Sequence, residues 1–146
     1  MTIPVKLKKL RPDAAIPAYQ TPGAACCDLT AAGDPVTVLP GERALVPTGL
    51  AMDFGDPGYA ALIFARSGLA SKKGLTLSNG VGVVDADYRG EIKVALVNLG
   101  SEPVTIGPGE RIAQMGFFPV ARADFEEADE LDETERGAGG FGHTGV

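Results

Sequence analysis

The sequence predicts an all-β fold, a sandwich or barrel of short strands, and three observations carry that reading. Gly and Pro together make up 31 of 146 residues, 20 and 11 respectively, or about 21% against the roughly 12% usual for globular chains. Apolar and polar residues alternate with period two in several short runs, the mark of half-buried strands. Turn dipeptides separate those runs at short intervals: Pro40-Gly41, Asp56-Pro57-Gly58, Asn79-Gly80 and Pro108-Gly109. Each supplies a residue that fixes or tolerates an unusual backbone angle.

Taken along the chain, Val5 and Leu7 alternate with Lys6 and Lys8, and Val36 and Val38 flank Thr37. Ala60–Ala65 is a short apolar strand. Ser67–Lys73 is the one helical stretch predicted before the tail, confined to a turn or two by Gly68 and Gly74. Asn79-Gly80 predicts a hairpin, followed by the apolar run Val81–Val84, in which Gly82 signals a bulge or a close backbone approach. Ile92, Val94 and Leu96 alternate with Glu91 and Lys93, and Ile112–Gly116 forms a further strand. The length suits one domain with a single core, and no internal repeat is visible.

Charge is distributed unevenly. The chain carries 13 Lys and Arg against 19 Asp and Glu, a net charge of −6. Residues 122–136 hold eight of the acids and two arginines, so that window alone accounts for the −6 and the remainder is neutral. Nonspecific binding to a phosphate backbone needs many cations, so nucleic acid is not an expected partner. The longest apolar runs are far shorter than a membrane span, so neither is a membrane. The N-terminal residues interleave charge with apolar side chains and lack a continuous signal-peptide core; the expected location is cytoplasmic. Cys26 and Cys27 are adjacent, and a disulfide between neighbours on an extended strand is strained, so both are expected as thiols. After the acidic window, five glycines fall among residues 137–145, with Phe141 and His143 between them. This reads as a linker followed by a mobile arm.

Several constellations bear on chemistry. Gly137-x-Gly139-x-x-Gly142 matches the dinucleotide fingerprint formally, but that motif requires a strand before it and a helix after it. No Gly-x-x-x-x-Gly-Lys-Ser/Thr loop occurs, and a single His without a Cys/His cluster disfavours a serine triad or a protein-ligated zinc hydrolase. Acid–base chemistry therefore falls to carboxylates. Arg66-Ser67-Gly68 follows a strand and opens the helical turn, where N–H groups, a hydroxyl and a guanidinium can face one anion; the alternative is a solvated Arg beside a Ser cap. Asp85 ends the run Val81–Val84, where partial burial and turn N–H groups would suit a general base; the alternative is a turn cap with Tyr88 packed on its neighbours. Gln114 is a polar residue in an apolar strand and has a structural or a functional partner. Lys72 and Lys73 read as a solvated helical face, and His143 as a tail residue.

The order of five segments closely resembles the trimeric all-β dUTPases. They are Ala25-Cys26-Cys27-Asp28-Leu29-Thr30-Ala31, Ala65-Arg66-Ser67-Gly68-Leu69-Ala70, Asn79 to Glu91, Gly109-Glu110-Arg111-Ile112-Ala113-Gln114-Met115, and Arg136 to Gly145. The resemblance implies a jelly-roll or distorted β-barrel subunit of a homotrimer, over residues 1–121, an acidic connector over 122–135, and a flexible arm over 136–146 that closes on an active site. It implies three sites at subunit interfaces, each built from all three chains. The substrate would be dUTP, cleaved with Mg²⁺ to dUMP and pyrophosphate, which supplies dUMP for thymidylate synthesis and keeps uracil out of DNA. The metal would be held mainly by the triphosphate and water.

On the same resemblance, Asp85 is the base that activates water, and Asn79 with the backbone around Val83 and Val84 reads uracil. Tyr88 lies beneath deoxyribose and excludes a ribose hydroxyl, and Lys93 is a further substrate contact. Arg66, Ser67 and Gly68 bind phosphate, Ser67 and Gln114 stand near the reacting phosphate and water, and Asp28 supports that region from behind. Arg136 and Phe141 belong to the closing arm, the cation toward the terminal phosphate and the ring over uracil. The sequence departs from the family where Cys26 or Cys27 replaces a small residue, where Ala65 stands for Pro or Ser, and where His143 stands for Ser. The alternatives are a dCTP deaminase of the same fold and a noncatalytic, nucleotide-binding regulatory trimer.

Overall fold

The computed structural model describes residues 2–143 and 145. Ten strands and one helix follow in the order β1 (Lys6–Lys9), β2 (Cys27–Thr30), β3 (Val36–Val38), β4 (Arg43–Asp53), β5 (Tyr59–Phe64), α1 (Ser67–Lys73), β6 (Leu75–Leu77), β7 (Gly82–Val84), β8 (Ile92–Asn98), β9 (Val104–Ile106) and β10 (Arg111–Pro119). They form two four-stranded antiparallel sheets, β1-β4-β8-β6 and β2-β10-β5-β7, and a ribbon β3-β9. Both sheets contribute to one core, in which Leu29, Leu50, Leu75, Ile92, Leu96, Ile112 and Met115 are among the fully buried side chains. The all-β expectation is met, with a jelly-roll-like layering of two sheets.

The alternation read from the sequence is the physical basis of the strands. In β8, Ile92, Val94, Leu96 and Asn98 are buried while Lys93 is exposed. The buried Asn98 is fully satisfied: its Nδ2 donates to the carbonyls of Val38 at 2.9 Å and Glu102 at 2.8 Å, and its Oδ1 accepts the Gly100 N–H at 2.9 Å. Asn98→Ala would remove all three bonds, one buried and two partly buried, and is expected to cost about 2–4 kcal/mol. Urea unfolding reads this directly, and an unchanged midpoint would contradict it. In β4, pairing with β8 shifts register between Pro47 and Leu50. Thr48 closes that bulge by donating to the Ile92 carbonyl at 2.6 Å.

The helix α1 spans the residues expected. It ends at Gly74, whose φ of 68° is left-handed and whose N–H returns to the Ala70 carbonyl. A side chain there would run into the backbone of Gly100, so two requirements select glycine.

Asn79-Gly80 turns the chain but does not make the expected hairpin. Gly80 has φ 71° and donates to the Leu77 carbonyl at 3.2 Å. The flanking strands then part, β6 pairing with β8 in one sheet and β7 with β5 in the other. Each has three residues, too few to sustain a ladder of its own, and each gains more from a longer neighbour. Gly82 fulfils its signal as a close approach: a Cβ there would stand 3.1 Å from that of Ile63. Residues 122–135 are exposed and contain neither helix nor strand.

Candidate active site

Strand register assembles the first half of the site. Gln114 in β10 lies opposite Asp28 of β2 on one side and Phe64 of β5 on the other. One residue past Phe64, Ala65 accepts a hydrogen bond from Gln114 Nε2 at 2.9 Å. The next residue, Arg66, turns back: its Nε meets Asp28 Oδ1 at 3.1 Å and its Nη1 donates to the Arg111 carbonyl at 3.4 Å. Arg111 Nη1 occupies the other oxygen, Asp28 Oδ2, also at 3.1 Å. One largely buried carboxylate therefore holds two guanidinium groups.

Asp28, Arg66, Arg111 and Gln114 border a cavity of about 570 Å³ that also takes in Ser67, Gly68, Lys72 and Lys73. Four cations face it against one carboxylate already bonded to two of them. Ser67 and Gly68 are exposed at the opening turn of α1, which has no side-chain cap, and the space beside Gly68 is open. The arrangement suits a polyanion.

Arg111, Lys72 and Lys73 are additions to the residues singled out from the sequence. Arg111 and Gln114 are three apart, and strict alternation would send them to opposite faces. A register shift between Arg111 and Ala113 inserts a residue and brings both toward Asp28. No local pattern in the sequence marks that bulge. The lysines, read as a solvated face, are exposed as expected and also border the cavity.

The second half lies around β7, an edge strand with one side unpaired. A cavity of about 300 Å³ is bordered by Asn79, Val83, Val84, Asp85, Tyr88 and Lys93. Val84 is buried and Val83 exposed, so the strand anchors one side chain and leaves its outer edge accessible. Such an edge presents main-chain donors and acceptors at fixed spacing. The Tyr88 hydroxyl donates to the Glu91 carbonyl at 2.9 Å, which pins its ring. Lys93 Nζ stands 3.7 Å from Glu91 Oε2, while Glu91 Oε1 accepts the Gly49 N–H.

Asp85 departs from its expected surroundings. It is exposed, not half-buried, and its carboxylate has no hydrogen-bond or ionic partner among the described residues. Within the turn, the Tyr88 N–H goes to the Asp85 main-chain carbonyl at 3.1 Å, not to the carboxylate. The chain leaves the sheet after Val84, so the next side chain emerges at the border of the cavity, where no described residue covers it.

The two cavities share no residue, and no described residue of the arm borders either. Arg136 Nε donates to the Gly139 carbonyl at 2.8 Å, the His143 N–H to the Gly140 carbonyl at 3.1 Å, and the Phe141 ring is fully exposed. Thr144 and Val146, part of the expected arm, lie outside the described residues. A larger apolar groove of about 730 Å³, bordered by Ile3, Val5, Leu7, Met115 and Phe117, contains none of the motif residues that face the other two. Burial pushes the Cys26 and Cys27 thiols above their ordinary range. Both are free, in keeping with the expected reduced state.

Among the described residues, no three His, Cys, Asp or Glu side chains gather as a metal set. Asp28, the carboxylate at the phosphate-sized cavity, is committed to two arginines. This donor set fits a Mg²⁺ ion that arrives on a substrate's phosphates and keeps much of its water. Among the described residues no helix is long and apolar enough to cross a membrane.

Comparison with known proteins agrees with this geometry. The dUTPase family model matches residues 12–145. The chain is 56% identical to the deoxyuridine 5'-triphosphate nucleotidohydrolase of Desulfitobacterium hafniense, over 99% of this chain and 98% of that one. It is 50% identical to the protein of the same name from Hahella chejuensis, over 95% and 92%. Among solved structures, the dUTPase of Staphylococcus bacteriophage 80alpha with dUPNHPP superposes with a TM-score of 0.90 at 26% identity, covering 99% of this chain and 100% of that one. A mutant dUTPase from phage phi11 of S. aureus, described with a coordinated structural Mg(II) ion, shares the fold at TM-score 0.80 and 21% identity, over 88% and 98%.

Proposed function

The chain belongs to the dUTPase family and hydrolyses dUTP to dUMP; we propose that it does so in a homotrimer whose sites each join the two half-sites of different chains. The observation that carries this reading is the division of the motif residues between a nucleoside-sized cavity and a cationic one with no residue in common. A single chain offers Asp85 to solvent and the guanidinium pair to a separate opening. Apposing the edge of β7 on one chain with the Arg66 cavity of another would cover Asp85 and complete the site. Exposed apolar side chains, including Leu39, Leu45, Val83 and Leu99, supply surface for such contacts.

In this account the outer edge of β7 and Asn79 read uracil through main-chain and amide groups. A rigid edge of this kind rejects a 5-methyl group by shape and cytosine by its reversed donor pattern. The Tyr88 ring lies under deoxyribose, leaving no room for a ribose hydroxyl, and Lys93 adds a substrate contact. Arg66, Ser67 and Gly68 take the phosphates, with Arg111 beside them, and Gln114 orients the attacking water. Asp85 removes a proton from that water as its oxygen attacks the α-phosphorus in line. The α–β bridging bond breaks, leaving dUMP and pyrophosphate. Phosphoryl transfer of this kind depends on positioning and charge stabilisation more than on covalent help. With Arg66 and Arg111 beside the phosphates, a Mg²⁺ ion carried in by the triphosphate would add charge neutralisation there. Residues 122–135 act as a connector, and Arg136 and Phe141 close over the complex and exclude bulk water. The enzyme works in the cytoplasm, where it limits dUTP and supplies dUMP for thymidylate synthesis.

The test is to incubate the protein with dUTP, dCTP, dTTP or UTP and Mg²⁺ and identify the products. Pyrophosphate and dUMP from dUTP alone are expected. Ammonia from dCTP would assign a deaminase, and nucleotide binding without turnover would assign a regulatory protein.

A further inference from the structure

We propose that Arg89, held by Asp53, is a positioning residue that sets the turn bearing Asp85 and Tyr88. The inference rests on the roles given to those two residues above. The turn runs from Asp85 to Tyr88 and is closed by one internal bond, Tyr88 N–H to the Asp85 carbonyl. Arg89 ties it to the rest of the fold. Its Nη1 donates to the Ala86 carbonyl at 2.7 Å and to the Tyr88 carbonyl at 3.2 Å, and its Nη2 meets Asp53 Oδ1 at 2.8 Å. Asp53 is the last residue of β4, paired in register with Lys6 of β1. One planar guanidinium thus connects two carbonyls of the turn to the opposite sheet from β7.

The next residue completes the device. A side chain at Gly90 would overlap the Tyr88 hydroxyl, so glycine lets the ring fold back and donate to Glu91. Tyr88 is fixed at both ends, by its own hydroxyl and by its carbonyl on Arg89. Asp85 has no side-chain partner among the described residues, so the turn's backbone determines where its carboxylate points.

This assignment separates activity from stability. The Arg89–Asp53 pair is half-exposed on both sides, and such pairs contribute little to folding. A small displacement of a catalytic group, in contrast, costs up to about 10²-fold in rate. Lysine keeps the charge of Arg89 but cannot span the two carbonyls and the carboxylate together.

The experiment compares Arg89→Lys, Asp53→Asn, their double variant and Gly90→Ala with the parent protein, measuring melting temperature, kcat and KM for dUTP, and the preference for dUTP over UTP. Arg89→Lys and Asp53→Asn are expected to melt within about 2 °C of the parent and to lose about tenfold in kcat, with a reduced preference against UTP. Asp53→Glu should restore most of the loss. The double variant should be no worse than the more impaired single one, because both remove the same clamp. Gly90→Ala should weaken discrimination against UTP with the clamp charges intact. Unchanged kcat and preference in the single variants would overturn the proposal, as would additive losses. So would activity and melting temperature falling together at constant preference. Asp85→Asn run in parallel separates the two levels: if it is inactive while the clamp variants behave as the parent, only the clamp fails. If Asp85→Asn is fully active, the underlying assignment fails.

Discussion

Asp85→Asn is expected to bind dUTP as the parent does and to turn it over about 10²–10⁴-fold more slowly, the scale of a lost general base. The substitution keeps the side chain's size and removes the group that accepts the proton of the attacking water. Asp85 has no side-chain partner among the described residues, so its replacement breaks nothing in the fold and the melting temperature should hold. Equilibrium binding of a nonhydrolysable dUTP analogue and steady-state pyrophosphate release measure the two halves of this expectation. Near-parental turnover would remove Asp85 from the chemistry.

Deletion of residues 136–146 is expected to leave the assembly intact and to reduce turnover by about 10²-fold or more, the cost of losing both water exclusion and a cation at the phosphates. Among the described residues the arm's hydrogen bonds stay local, within itself as from Arg136 to Gly139 or back to Thr134 of the connector, and no core residue belongs to it. Its removal should therefore be silent in light scattering and in thermal unfolding. Unchanged kinetics in the truncated protein would mean that Arg136 and Phe141 do not act at the site.

The strands and α1 were legible because each is local. Alternation in Ile92–Leu96 and the glycines bounding Ser67–Lys73 contain their own explanation. Pairing is not local: Asn79-Gly80 has the chemistry of a hairpin turn, yet β8 and β5 compete successfully for the two strands it joins. Arg111 was missed for a similar reason, since a bulge one residue away decides which face it occupies. The clamp unites residues 36 apart along the chain, a distance no motif spans. Asp85 stands out in the sequence as the end of an apolar run, but its expected half-burial is not met: the chain turns away from the sheet after Val84 and leaves it exposed. The motif order was legible throughout, and the division of those motifs between two cavities was not.

That division is the central claim, and mixing two inactive proteins tests it most directly. Arg66→Ala lacks the cation of one half-site and Asp85→Asn lacks the base of the other. Each alone should be nearly inactive. Unfolded together in equal amounts and refolded, they should regain activity at about a quarter of the sites, since each half must come from the chain that is intact there and random assortment in a closed ring satisfies each condition half the time. Activity no greater than the sum of the separately refolded proteins would place both halves on one chain and contradict the account.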